Sequence, residues 1–332
     1  MVKIVIDMMG GDNGTKATIT ATEKILNEYD DIEIVAVGDE KELSVFSDNP
    51  RVKIISSQSI VPMECSVLQA MRMKDSSVYK AVNAVKEENA DAVLSAGSTG
   101  AFLALTTLIN KKIEGVERPA LVTAFPTRIP NKNVVFLDVG ASADNSADDL
   151  VQFAIMGEAY SRVIYGVEKP KTYLISNGTE EGKGNAIVKE AYSKMKSNPS
   201  FMGYIEGRNV LSGEADVVVF DGFTGNVFLK GTEGVAKMLG DMMKNAFTKS
   251  FSSKIGYLFA RKGIKELRSL MDYKKVGGAM LLGVNTVAVK AHGNSDQRSF
   301  YNSIKVAYTL AKNKVVDQIK ENLKQWNQLM NC

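Results

Sequence analysis

Histidine is almost missing from this 332-residue chain, which holds a single one, His292. With no histidine cluster, and no acidic triad at fixed spacing in its place, a metal centre has little support and no metal is expected. Cysteine is as scarce: Cys65 and Cys332 lie far apart, cannot make a disulfide framework and suit a reducing cytosol. Charge of one sign is lacking too. The 41 Lys and Arg against 38 Asp and Glu leave a formal +3, without the long block of like charge that suits a nucleic-acid partner. No apolar run approaches the roughly 20 residues needed to span a bilayer. The chain opens directly on strand-like residues, so no leader peptide is expected and the chain reads as a soluble cytoplasmic protein. Neither Gly-x-Gly-x-x-Gly nor Gly-x4-Gly-Lys-Ser/Thr occurs at its glycine-rich loops, which counts against a dinucleotide or P-loop nucleotide site.

What is present alternates. Short β-branched runs stand at 2–6, 32–37, 52–56, 92–95, 121–125, 134–137, 173–175, 217–220 and 286–289, and helical patterns at 17–28, 67–87 and 147–165 lie between them. Continuous apolar runs fit strands covered on both faces, so the chain reads as α/β with a doubly wound, mostly parallel sheet. No repeat, low-complexity stretch or Pro-rich linker divides it, and residues 1–332 are expected to form one large unit.

In such a sheet ligands gather at the carboxyl ends of the strands. Several strand ends here carry suitable groups. Residues 216–220 end in Asp221-Gly222-Phe223-Thr224-Gly225-Asn226, with Lys230 one helical turn on. That turn offers a carboxylate, an amide, close-approach glycines and a cation, a set suited to an anion. The first strand runs into Asp7-Met8-Met9-Gly10-Gly11-Asp12, and the fourth into Ala96-Gly97-Ser98-Thr99-Gly100. In the latter, Ser98 or Thr99 can cap a helix whose N-terminus faces a ligand. Lys183 stands between Gly182 and Gly184, and the last strand leads into Ala291-His292-Gly293. Each group has a plainer use: Asp221 in an Asx turn, Asn226 as a helix cap, Lys183 as a solvated charge, His292 in the core.

These segments together, with Asn177-Gly178-Thr179-Glu180-Glu181-Gly182-Lys183-Gly184-Asn185, Gly203-Tyr204-Ile205-Glu206-Gly207-Arg208 and Gly277-Gly278-Ala279-Met280-Leu281-Leu282-Gly283-Val284, resemble the bacterial phosphate acyltransferase family over essentially the whole chain. The resemblance implies an α/β/α sandwich related to isocitrate and isopropylmalate dehydrogenases, a homodimer and no organic cofactor. It implies conversion of acyl–acyl-carrier protein and inorganic phosphate to acyl phosphate at the start of phospholipid synthesis. Three positions depart from the family pattern: Asn13 stands where histidine is usual, and Ser98 and Ser142 where asparagine is usual.

Phosphate must be stripped of water, oriented and aimed at a thioester carbonyl. For that chemistry Asp7, Gly10, Gly11, Asp12, Gly97, Ser98, Thr99 and Gly100, with Gly222, Thr224 and Gly225, are the candidate phosphate and substrate groups. Lys183 and Lys230 are the candidate cations, Asn226 or a backbone N–H the oxyanion donor, and Asp221 and His292 the orienting or proton-accepting groups. A helical excursion at about 236–273 carries Lys254, Leu258, Phe259, Arg261, Lys262, Lys265 and Arg268. That mixture suits an anionic membrane surface, an acidic carrier protein or a dimer interface. Three rival readings remain. They are an acyl-coenzyme A-using relative, a scaffold without catalysis, and a nicotinamide dehydrogenase, the last lacking its glycine fingerprint.

Overall fold

The computed structural model describes the backbone of residues 1–270 and 277–330, and the side chains of residues 1–264 and 277–328. Eleven strands are present among them: β1 (Val2–Asp7), β2 (Ile32–Gly38), β3 (Val52–Ser56), β4 (Ala92–Ser95), β5 (Ala120–Pro126), β6 (Asn133–Leu137), β7 (Thr172–Ser176), β8 (Phe201–Glu206), β9 (Val217–Val219), β10 (Ala279–Leu282) and β11 (Val287–Lys290). The helices are α1 (Gly14–Glu28), α2 (Glu40–Leu43), α3 (Val67–Arg72), α4 (Ser77–Glu87), α5 (Thr99–Asn110), α6 (Ala147–Tyr165), α7 (Ala186–Met195), α8 (Gly222–Thr248), α9 (Phe251–Leu270), α10 (Gln297–Lys312) and α11 (Val315–Met330).

The strands form one mixed sheet in the order β3-β2-β1-β4-β11-β10-β5-β6-β9-β7-β8. Successive residues of a strand point to opposite faces, and both faces here are buried. Ile4, Ile6 and Ile34 join one core with residues of α1, α6, α10 and α11. Val5, Val35 and Val37 join another with residues of α4 and α5. This double burial explains why the strands read as continuous apolar runs. The helix expected at 147–165 forms with those bounds: Ser146 and Asp149 make a reciprocal capping box, and Gly166 ends the helix in the left-handed conformation.

Mostly parallel pairing holds, with one consequential exception. The β10–β11, β10–β5 and β5–β6 pairs are antiparallel. Strands β3, β2, β1, β4 and β11 therefore run one way, and β6, β9, β7 and β8 the other. The carboxyl ends of the two groups face opposite edges, so the strand-end loops named above do not all lie along one edge of the sheet. Two strands were not expected, β8 and β10. Gly203 sits inside β8 with φ 102°, and β10 follows the positive-φ pair Gly277 and Gly278. Neither run is dominated by β-branched residues, so the usual strand signal is weak. The segment 67–87 is two helices, divided at Met73–Ser76, where Ser76 Oγ donates to the Met73 carbonyl and Ser59 bridges to Ser76.

Helix α8 starts at the turn after β9 and runs unbroken for 27 residues, earlier than the excursion expected at 236–273. Of its residues only Gly222 and Gly225 are buried. Its main contacts are with α9 and β6, so α8 and α9 form an arm beside the sheet. Residues 271–273 lie outside the described residues.

Candidate active site

Three loops at the ends of β1, β4 and β11 are laced together. The buried Asp7 carboxylate accepts from Ser95 Oγ at 2.6 Å and from the backbone N–H groups of Met9 and Gly10. Burial pushes its pKa up, against the pull of the Ser95 hydrogen bond and its other donors. A side chain at Gly10 would place its Cβ 2.6 Å from the Gly97 nitrogen, and one at Gly11 would meet the Gly293 carbonyl at 2.9 Å. Asp12 N–H donates to that same carbonyl at 2.7 Å. Asp7, Gly10 and Gly11 thus hold the loops against one another. Asn13, the first departure, donates its amide to the Ser295 carbonyl at 2.9 Å, tying the same two loops.

A second set of contacts seats α8. Asp138 accepts from four backbone N–H groups, those of Leu121, Gly140, Ala141 and Ser142, and burial raises its pKa despite them. The helix rests on this loop: a Cβ at Gly222 would fall 1.8 Å from the Ser142 carbonyl, and one at Gly225 1.9 Å from that of Asp138. Asp221 is the N-cap, accepting from Thr224 N–H at 2.8 Å and from Thr224 Oγ1 at 2.7 Å. Asp221, expected as an orienting or proton-accepting group, thus caps the helix that carries Asn226, and Gly222 and Gly225, expected among the ligand groups, pack against the 138–142 loop. With Thr224, all of these three take part in starting α8 or packing it. Phe228 adds an aromatic anchor, with its ring 5.6 Å from Phe136 and 5.3 Å from Phe220.

Between α5 and α8 lies a cleft of about 290 Å³ over the face of β5. Leu121, Thr123 and Phe125, alternate residues of β5, floor it. Thr99 lines one side, Asn226, Leu229, Lys230 and Glu233 the other, and Lys290, Ala291, His292 and Gly293 close it from the end of β11. Asn226 leans against Gly140, whose φ is 123°; a Cβ there would approach Asn226 Cγ to 3.2 Å. Ser98 occupies the N-cap of α5, but its side chain makes no capping bond and points to the Met63 carbonyl instead. The first N–H groups of α5 are therefore left for another acceptor.

Of the residues expected here, the structure brings Thr99, Asn226, Lys230 and His292 to one cleft. Gly97 donates its N–H to Ser95 Oγ and Ser98 turns to the Met63 carbonyl, while Gly100 lines a neighbouring groove with Leu103, Arg118 and Ala141. Lys183 stands exposed in the loop after β7 and is not among the residues that line this cleft. Lys230 pairs with Glu233 at 3.0 Å and keeps its side chain 65% exposed.

The residue that sequence reasoning missed is Lys290. It is only 6% exposed, donates to the Ala291 carbonyl and lines the cleft. Desolvation pulls its pKa down to about 8, opposed by Asp7 and Asp12. The one signal in the sequence is a lysine closing an apolar strand beside His292, a pattern that usually marks a side chain reaching for water.

On the arm, Leu258 and Phe259 are 68% and 86% exposed, and Lys254, Arg261 and Lys262 are exposed beside them. The side chains of Lys265 and Arg268 lie outside the described residues. An apolar groove of about 760 Å³ runs between α8 and α9, walled by Met243, Phe247, Phe251, Ile255 and Leu258. No described helix is long and apolar enough to cross a membrane.

The model of a family described as "Fatty acid synthesis protein" matches residues 2–318. A phosphate acyltransferase of Staphylococcus saprophyticus is 41% identical over 326 residues, covering 97% of this chain and 98% of the relative. One from Staphylococcus aureus is 40% identical over 331 residues, covering 99% and 100%. The chain belongs to the phosphate acyltransferase family. It is an acyltransferase. Among solved structures, a phosphotransacetylase from Streptococcus pyogenes superposes with a TM-score of 0.62 at 17% identity, covering 94% of each chain. A branched-chain phosphotransacylase from Enterococcus faecalis gives 0.57 at 13%, covering 93% of this acyltransferase and 99% of that chain. At such identity the likeness is one of fold.

Proposed function

We propose that this enzyme moves an acyl group from the thioester of an acyl carrier protein to inorganic phosphate, releasing acyl phosphate and the free carrier thiol for phosphatidic acid and phospholipid synthesis. The observation that carries the reading is the cleft between α5 and α8. There an uncapped helix N-terminus, an amide, two lysines and an imidazole face one small space. Phosphate near neutral pH carries roughly two negative charges, and the N-terminus of α5 offers it N–H groups and a partial positive charge. A phosphate oxygen attacks the thioester carbon and the carbonyl π pair moves onto oxygen, where the Asn226 amide donates to it. The C–S bond then breaks. The proton of the hydrogen phosphate, handed on by His292, goes to the departing sulfur. No acyl-enzyme is formed, because phosphate is itself the nucleophile.

The test is phosphate-dependent appearance of the carrier thiol from acyl–carrier protein. Release should rise with phosphate, and Asn226→Ala should lower kcat about 100-fold. Absence of any release would leave a carrier-binding scaffold, and equal rates with acyl-coenzyme A would remove the choice of donor.

We further read the chain as one unit of α/β/α sandwich type, akin to isocitrate dehydrogenases, that works as a homodimer at the inner face of the membrane. The exposed apolar and basic residues of α9 support contact with an anionic bilayer. The carrier protein, acidic in its chemistry, would meet the same cations.

A further inference from the structure

Lys183, Lys230 and Lys290 are candidates for neutralising an anion in this enzyme, and their surroundings separate them. Lys183 is exposed and outside the cleft. Lys230 lines the cleft but is 65% exposed and bound to Glu233, so water and its partner already compensate its charge. Lys290 is 6% exposed and lines the cleft with Thr99, Asn226 and His292. An ammonium has three N–H donors. One goes to the Ala291 carbonyl, and among the described residues the other two have no partner. The carboxylates acting on it are Asp7, buried and itself pushed toward the neutral form, and Asp12, which is exposed. A buried charge so incompletely paired is costly to the fold. Its position beside the uncapped N-terminus of α5 gives that cost a use.

We propose that Lys290 is the phosphate-binding cation of this enzyme, its two open N–H donors completing their shell only when the substrate anion enters the cleft. The inference rests on the phosphate-acyltransferase reading and names the group that makes it work. It has a thermodynamic signature. Desolvation leaves Lys290 only partly charged near pH 8 in the empty cleft, and a bound dianion recharges it, so phosphate entry draws a proton from solvent. The other charged or titratable groups around this point are Asp7 from β1, Asp12 from the following loop, His292 beyond β11, and Lys230 and Glu233 on α8.

The experiment titrates inorganic phosphate into the full-length enzyme at about pH 8, by calorimetry in two buffers of different ionisation heat. The wild type should take up on the order of half a proton per phosphate bound. Lys290→Met should lose that uptake and weaken phosphate binding about 100-fold. Lys290→Arg keeps a permanent cation, so it should bind phosphate with no proton uptake, and this variant carries the test if the methionine variant does not fold. His292→Gln should keep the uptake. Lys230→Ala should weaken phosphate binding less than Lys290→Met. Uptake that persists in Lys290→Arg, uptake lost in His292→Gln, or an unchanged phosphate KM in Lys290→Met alongside normal wild-type thiol release would each overturn the inference alone. A wild type that neither binds phosphate nor releases thiol would overturn the parent reading with it.

Discussion

The ammonium of Lys290 is held away from water, and burial brings its pKa down to about 8. In the unfolded chain a lysine stays protonated until about pH 10.4. Between those values the unfolded state binds more protons than the folded one, so stability rises with pH across that window. The gain for the empty enzyme, relative to Lys290→Met, should be about 2 kcal/mol between about pH 7.5 and pH 9.5. Urea denaturation of both proteins without phosphate measures it, and parallel pH profiles would refute it. The window stops short of the tyrosines, whose effect has the opposite sign: Tyr301, raised to about 12 by burial and its bond to Glu28, loses stability as the unfolded phenol titrates. Saturating phosphate should flatten the profile, because the bound anion restores the charge. Asp7 works in the other direction at low pH. Its folded pKa is raised, so its contribution falls as pH climbs from the unfolded value to the folded one, and at neutral pH its burial costs stability that the Ser95 bond partly offsets.

At the scale of the element, helix α8 is set by two glycines and left free by others. Gly225→Ala would force a Cβ to 1.9 Å from the Asp138 carbonyl, so the helix must lift from the loop that seats it. The expected loss is at least about 3 kcal/mol in denaturant unfolding, with Asn226 displaced from the cleft. Gly231→Ala and Gly234→Ala, on the same helix with nothing within 4 Å, should be neutral or stabilising by up to about 1 kcal/mol. Equal effects at the two kinds of site would mean that α8 does not rest on residues 138–142. This contrast also marks the limit of the sequence. The run from Asp221 to Gly225 announced that the backbone comes close to something, and it does. Nothing in the pattern said whether that partner is a ligand or the turn after β6, because both require the same missing Cβ. Asn226 and His292 were legible as members of one site because each sits beside a strand end. Lys290 was not, since burial of a strand-end lysine is decided by α8 and by loops distant in sequence. Strands with β-branched runs were legible almost to the residue, whereas β10, built from Ala, Met and Leu, takes its conformation from the antiparallel neighbours β11 and β5.

For the whole molecule, the reversal of direction at β10, β5 and β6 decides where chemistry can occur. A fully parallel sheet would line its ligand loops along one edge; here the two groups of strands end on opposite edges, and the shared space lies across the face of β5. Helix α8 reaches that face with its first turns and then leaves the sheet, carrying α9 with it. The arm therefore joins the cleft to whatever covers its apolar side. Phe251, Ile255, Leu258 and Phe259 recur at the spacing of one helical face, and all are exposed. Burying Leu258 and Phe259 in a bilayer interface would contribute roughly 2 kcal/mol each, and Lys254, Arg261 and Lys262 add attraction to anionic headgroups that salt weakens. Wild-type enzyme should cosediment with phosphatidylglycerol vesicles more than with phosphatidylcholine vesicles. The Leu258→Glu, Phe259→Glu double variant should bind the anionic vesicles at least about 10-fold more weakly, with its helical circular dichroism intact. Binding that survives the double substitution would remove α9 as the membrane anchor. Sedimentation that finds the wild type dimeric and the double variant monomeric would assign the same face to a second copy of the chain. The two outcomes separate because a bilayer rewards the cations of α9 as well as its apolar residues, so only membrane binding should also weaken with added salt.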